Sequence, residues 1–143
     1  MEVYKALSQV PNITGVKEAS GDVVKVSRIL NRCPSLTVWS GNDDSAVASV
    51  ALGAKGVISV LSNVAPEMTV AMMNAALDGD FDTASALHNQ LLPLMDALFC
   101  QVNPVPVKAA MKLMGFDCGG CRLPLGTLDP GKADKLKELL PLR

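Results

Sequence analysis

The stretch Ile13-Thr14-Gly15-Val16-Lys17-Glu18-Ala19-Ser20-Gly21-Asp22 decides how the rest of the chain is read. It opens with a short β-rich run, Ile13 to Lys17, and breaks at Gly21 before an acidic residue suited to cap a helix. Val23, Val26, Ile29 and Leu30 then repeat at helical spacing, with Asp22 as the expected N-cap. Two more β-rich runs follow, Leu36 to Ser40 and Gly56 to Val60. The three runs start 23 and then 20 residues apart, room for one helix in each interval. A helix capped by Asp43 or Asp44 and ended by Gly53 fills the second interval. Strand–helix–strand at this spacing predicts parallel strands joined by crossover helices. The strands show little alternation, which predicts burial on both faces.

Beyond Val60 the pattern is helical only. Pro66 suits the first turn of a helix ending at Gly79. Asp80 caps a second, whose stripe is Phe81, Ala84, Leu87, Leu91, Leu94 and Leu98, with a kink expected at Pro93. A third runs from about Val105 to Met114, stopped by Gly115. After a loop from Phe116 to Leu128, Asp129 and Pro130 introduce a last helix carrying Leu136, Leu139 and Leu140. The order is βαβαβ followed by helices, an α/β chain.

Composition narrows the function classes. The chain has 143 residues, 13 Lys plus Arg against 14 Asp plus Glu, and a formal net charge of −1. That balance makes no electrostatic case for nucleic acid or an anionic membrane. Apolar residues are 49% and aromatic residues 3%, so an aliphatic core is expected and disorder is excluded. The longest stretch free of Asp, Glu, Lys and Arg is Thr83 to Met95, 13 residues, where a spanning helix needs about 20. No signal pattern opens the chain, and four cysteines in a chain this apolar do not read as a disulfide framework. A reducing cytoplasm is the expected location. A complete (β/α)8 barrel needs roughly 250 residues and does not fit this length.

Lys17 is the charge of most chemical interest. Strand C-termini form the ligand face of parallel α/β folds. A desolvated lysine there loses pKa, becomes nucleophilic and forms Schiff bases with carbonyl compounds. The alternative is a lysine whose stem packs at a strand end while its ammonium reaches water. Ser40-Gly41-Asn42-Asp43-Asp44 is a tight turn whose amides can cradle an anion; the alternative is a turn glycine followed by a capping aspartate. Asp43 and Asp44 have no His or Cys near them in sequence, so no metal is expected there. Cys118-Gly119-Gly120-Cys121 reads as a redox pair, as half of a zinc site, or as a plain loop. Cys33, Cys100 and His88 are not at ligand spacing from it, and His88 lies mid-helix with no local partner. No cofactor is expected.

The segment Gly15-Val16-Lys17-Glu18-Ala19-Ser20-Gly21-Asp22 resembles the Schiff-base segment of dihydrodipicolinate synthases. Leu36 to Asp44 resembles that family's next strand and turn, and Gly53 to Val60 with Asn63 its last barrel strand. Asn103-Pro104-Val105-Pro106-Val107-Lys108 and Arg122-Leu123-Pro124-Leu125 resemble signatures of its C-terminal helices. The Lys17-Glu18-Ala19-Ser20 and Asn103–Lys108 segments favour this branch over the related N-acetylneuraminate lyases. The resemblance implies a partial (β/α)8 TIM barrel, its last three strands with their helices over residues 1–65. The final barrel helix and a C-terminal all-helical extension follow over 66–143.

It implies a class I aldolase-type lyase that condenses pyruvate with aspartate semialdehyde in lysine biosynthesis, usually as a homotetramer. Lys17 matches the lysine that forms the imine with pyruvate; Gly41 and Ile58 fall where the family lines its pyruvate site. The family's paired threonines, relay tyrosine and substrate-binding arginine lie upstream of the lysine, and only 16 residues precede Lys17 here. Tyr4, the only tyrosine, lies in an apparent helix and is not assigned the relay role. The alternatives are a catalytically incompetent remnant or interaction module, or a related pyruvate-dependent lyase such as N-acetylneuraminate lyase. Three strands of an opened barrel expose two edges and an apolar face. The 143-residue chain is therefore expected to associate with itself or with a partner supplying the other barrel half. Sedimentation velocity at micromolar concentration checks this, and a monomer contradicts it.

Overall fold

The computed structural model describes residues 1–141. A short helix α1 (Glu2–Leu7) leads into strand β1 (Gly15–Glu18), helix α2 (Val23–Arg32), strand β2 (Thr37–Ser40) and helix α3 (Ala46–Ala51). A 3-10 turn at Leu61–Asn63 precedes α4 (Pro66–Leu77), α5 (Phe81–Leu98), α6 (Val105–Leu113) and α7 (Pro130–Leu139). The two strands are parallel, with Gly15 opposite Thr37 and Lys17 opposite Trp39. The chain is a helix-rich α/β structure.

Several elements follow directly from local chemistry. Asp22 accepts from the amides of Val24 and Lys25, so α2 starts where its cap predicts. Asp80 accepts from the Thr83 amide and starts α5 in the same way. Pro66 and Pro130 occupy first-turn positions, where the missing N–H costs nothing. α5 continues through Pro93 to Leu98.

Three expectations need correction. The run Gly56 to Val60 is not a strand but a single parallel bridge between Ser40 and Val57. It meets β2 through three backbone bonds: Lys55 donates to the Val38 carbonyl at 2.8 Å, Ser40 donates to the Gly56 carbonyl at 2.9 Å, and Ile58 donates to the Ser40 carbonyl at 2.8 Å. The sheet is not buried on both faces either. Val38, Ser40 and Glu18 pack against the helices, while Lys17 is exposed and Trp39 is half-buried on the other face. Finally, neither Asp43 nor Asp44 caps α3. Ser45 occupies the N-cap without a side-chain bond, because the Asp43 side chain is engaged elsewhere.

Two apolar cores result. Val26, Ile29, Cys33, Leu36, Val38 and Ala54 fill the space between α2 and the back of the sheet. The larger core joins α3 to the four C-terminal helices through Leu61, Met72, Leu91, Met95, Leu98, Ala110 and Leu136, aliphatic throughout. Leu98 is fully buried, so removing its side chain leaves a cavity as well as lost transfer energy. Leu98→Ala is expected to lower stability by about 2–5 kcal/mol. Leu113→Ala, at a site 40% exposed, should cost less than about 0.5 kcal/mol. Urea unfolding of both variants at one protein concentration checks the contrast.

Candidate functional site

Lys17 is the penultimate residue of β1, on the face of the sheet turned away from the helices. Successive strand residues point to opposite faces, so Lys17 and Glu18 diverge. Gly15, Lys17, Trp39 and Ile58 line one open depression of about 430 Å3, with Asn12, Ile13 and Thr14 at its rim. The structure thus brings Lys17 and Ile58 to one surface. Trp39 was not singled out from sequence; its ring lies over Gly15, where an added Cβ would meet the indole.

Gly41 lies directly beside the lysine. A Cβ at residue 41 would be 2.8 Å from Lys17 Cε and would collide with Ala19 Cβ. Glycine is required here chiefly by Ala19, whose Cβ and backbone Cα an added Cβ would strike; the lysine stem beside it can move. The Gly41 amide donates to the Glu18 carbonyl at 2.7 Å, and the Asn42 amide donates to Ser40 Oγ at 3.2 Å. The Gly41 and Asn42 amides are thus both engaged within the protein. Ser40 Oγ closes the turn by donating to the Asn42 carbonyl at 2.8 Å.

Asp43 has a different role from the helix cap expected of it. It is buried, and Oδ2 accepts from the amides of Val60 and Leu61 at 2.9 and 3.0 Å. The carboxyl at the end of β2 therefore caps the 3-10 turn and fixes the segment that carries Ile58. No local signal announces this pairing, because its partners lie 17 and 18 residues away.

Behind the sheet, Glu18 forms a second buried network. Tyr4 donates its hydroxyl to Oε2 at 2.6 Å. The Lys25 ammonium lies 3.0 Å from Oε2 and 3.2 Å from Oε1, and the Ser20 amide donates to Oε1 at 2.8 Å. Burial of the carboxyl opposes its ionisation, but hydrogen bonds from Ser20, Tyr4 and Lys25 outweigh that penalty and hold its pKa at about 2, below the ordinary 4.5. The same bond to Glu18 raises the Tyr4 pKa, with burial adding to the effect. The Glu18 bond also raises the pKa of Lys25, whose ammonium lies 5.5 Å from the centre of the Tyr4 ring. Tyr4 is thus engaged behind the strand, on the face opposite Lys17.

The remaining candidates lie away from this depression. Cys118 is exposed, Cys121 half-buried, and both are free thiols, as are buried Cys33 and exposed Cys100. Cys118 Sγ lies 3.5 Å from Met111 Sδ, and Gly119 donates its amide to Asp117. Among the described residues no group of three or more His, Cys, Asp and Glu converges as a metal site. A larger cavity of about 780 Å3 between α6, the following loop and α7 is lined by Lys108, Lys112 and Cys121 but not by Lys17. Lys108 donates to the Gly120 carbonyl at 2.7 Å and so joins the Asn103–Lys108 segment to the loop carrying Arg122. No helix among the described residues is long and apolar enough to cross a membrane.

Comparison with known proteins gives one consistent answer. Residues 1–142 match the model of the dihydrodipicolinate synthetase family. The 4-hydroxy-tetrahydrodipicolinate synthase of Caldicellulosiruptor saccharolyticus is 45% identical over 139 residues, 97% of this chain and 47% of that protein. The one from Kosmotoga olearia is 51% identical over 128 residues, 87% of this chain and 44% of that protein. Among solved structures, a dihydrodipicolinate synthase from Aquifex aeolicus superposes with a TM-score of 0.92 at 39% identity, covering 99% of this chain and 50% of that one. Another dihydrodipicolinate synthase crystal structure superposes with a TM-score of 0.92 at 41% identity, covering 96% and 48%. The chain spans about half the length of the curated relatives it matches.

The electrostatics at Glu18 generate a stability prediction. Its folded pKa is depressed, so its stabilisation is fully present above the unfolded value and is lost as pH falls through the folded one. The stability difference between the native chain and Glu18→Gln should be constant above about pH 4.5 and shrink steadily towards about pH 2. Thermal unfolding of both chains across that range checks it; a pH-independent difference contradicts it.

Proposed function

The chain belongs to the dihydrodipicolinate synthetase family, and from that premise we propose that it carries the Schiff-base lysine of a lyase acting on pyruvate. Lys17 is the nucleophile. Its free amine adds to the pyruvate ketone, water leaves, and a protonated imine links Lys17 Nζ to the former carbonyl carbon. The imine draws electrons from the adjacent methyl group, which loses a proton to give an enamine. The enamine carbon then bonds to the aldehyde carbon of aspartate semialdehyde, whose oxygen takes up a proton as the iminium re-forms; attack on that iminium, by water or by the product's own amine, frees Lys17, in the condensation that serves lysine biosynthesis in the cytoplasm. No cofactor or metal enters these steps, because the imine itself is the electron sink.

The observation that carries this reading is the place of Lys17 at the end of β1, in one open depression with Ile58. The lysine stem lies along a glycine, on the open face, within a segment matched by relatives named as 4-hydroxy-tetrahydrodipicolinate synthases. Those names favour the synthase branch over N-acetylneuraminate lyase. Gly41 and Ile58 border the pyruvate subsite. Residues 1–65 are read as the last βα units of a (β/α)8 barrel, and 66–143 as the final barrel helix with a helical extension. The sheet edge beside β1 and the face bearing Lys17 are completed by the strands that the relatives carry in their other half.

That requirement supports a second reading. The depression around Lys17 is open, and Tyr4 is bonded to Glu18 behind the strand rather than facing the lysine. A chain acting alone lacks a positioned proton acceptor, a contribution worth about 10²–10⁴ in rate. It would then be a non-catalytic module or require its complement. Incubation with pyruvate, reduction with borohydride and intact-mass measurement test the first reading. One adduct is expected in the native chain and none in Lys17→Ala; a folded native chain without adduct favours the second reading.

A further inference from the structure

Glu18 is more heavily anchored than a strand end requires. Its side chain is 3% exposed, and its two carboxylate oxygens receive bonds from three groups in three places: Tyr4 in α1, Lys25 in α2 and the Ser20 amide in the turn between β1 and α2. Its main chain is fixed as well, since its carbonyl accepts from Gly41 at 2.7 Å. Lys17 is the residue immediately before it and projects to the other face. Any rotation of the strand end that released Glu18 from its partners would swing Lys17 away from Gly41.

We infer that Glu18 is a positioning residue for Lys17, its buried carboxylate acting as the rear anchor that sets where the amine stands on the open face. The inference rests on the Schiff-base reading of Lys17. The chemistry of the partners explains why a carboxylate is needed. A phenol, an ammonium and a backbone amide are all donors towards this side chain, and only a group with acceptors at both oxygens serves all of them. A carboxamide of the same shape offers one acceptor and one donor, so at least one partner loses its bond. The anchor also couples the lysine to α1 and α2, which touch the open face nowhere. Gly41 then serves both sides of the device: its amide holds the Glu18 carbonyl, and its missing side chain admits the lysine stem.

The test uses the 143-residue chain with Glu18→Gln, Tyr4→Phe and the native sequence, each shown to be folded by circular dichroism. Each is mixed with pyruvate for timed intervals, quenched with borohydride and analysed by intact mass. This gives the limiting rate of imine formation and the half-saturating pyruvate concentration separately. In Glu18→Gln the limiting rate should fall roughly tenfold or more, as expected for a misplaced reacting group. The half-saturating concentration should stay the same. Tyr4→Phe, which leaves the carboxylate and its Lys25 and Ser20 bonds in place, should show a smaller fall in the same quantity. It carries the test should Glu18→Gln fail to fold. An unchanged limiting rate in a folded variant overturns the anchor and leaves Lys17 as the nucleophile. A change in half-saturation alone also overturns it, since that assigns Glu18 to binding. Absence of adduct in the folded native chain overturns the reading that this chain by itself forms the imine, and the anchor with it.

Discussion

The open face depends on the close approach of the two strand ends, where Gly41 meets Lys17 on one side and the Glu18 carbonyl on the other. The strand period of two puts consecutive residues on opposite faces, so an exposed lysine and a buried glutamate can be neighbours without competing. The lysine takes the face with room, and the glutamate takes the face with partners. A side chain at residue 41 would fill the space of the lysine stem, since its Cβ would already be 2.8 Å from Lys17 Cε. Parallel strands also bring both C-terminal ends to the same edge of the sheet, which is why the two turns can interlock there.

The rest of the molecule holds that edge still. Glu18 ties the end of β1 to α1 and α2, while Asp43 ties the end of β2 to the turn at Leu61. Two buried carboxylates thus tie the ends of adjacent strands, Glu18 through both oxygens and Asp43 through Oδ2 alone, its buried Oδ1 finding no partner among the described residues. Leu61 is itself part of the large helical core, so Asp43 links the sheet to the packing of α4, α5 and α7. The helical layer therefore reaches the region around Ile58 through one carboxyl oxygen and two amides. The segment around Val57 is held both by its backbone bonds to β2 and by the two amides bound to Asp43.

The two faces of the sheet differ. One face is covered by this chain's own helices. The other bears Lys17, Trp39 and Ile58 and lies open, in a chain about half as long as its relatives. A barrel interior is closed only by its full circle of strands.

The helices and the place of Lys17 at the end of a strand were legible in the order of residues. Asp22 and Asp80 cap α2 and α5 where their sequences say they should, and Leu91, Leu94 and Leu98 are buried as their spacing demands. These features rest on interactions within three or four residues, which local sequence encodes. Tertiary structure alone decided that Gly56 to Val60 forms a bridge, that Asp43 holds the Leu61 turn and not α3, and that Tyr4 and Lys25 converge on Glu18. Each of those pairings spans between 7 and 18 residues and joins different elements. Whether two such groups meet depends on how helices seat against the sheet, a property of the packed whole that no run of neighbouring residues contains.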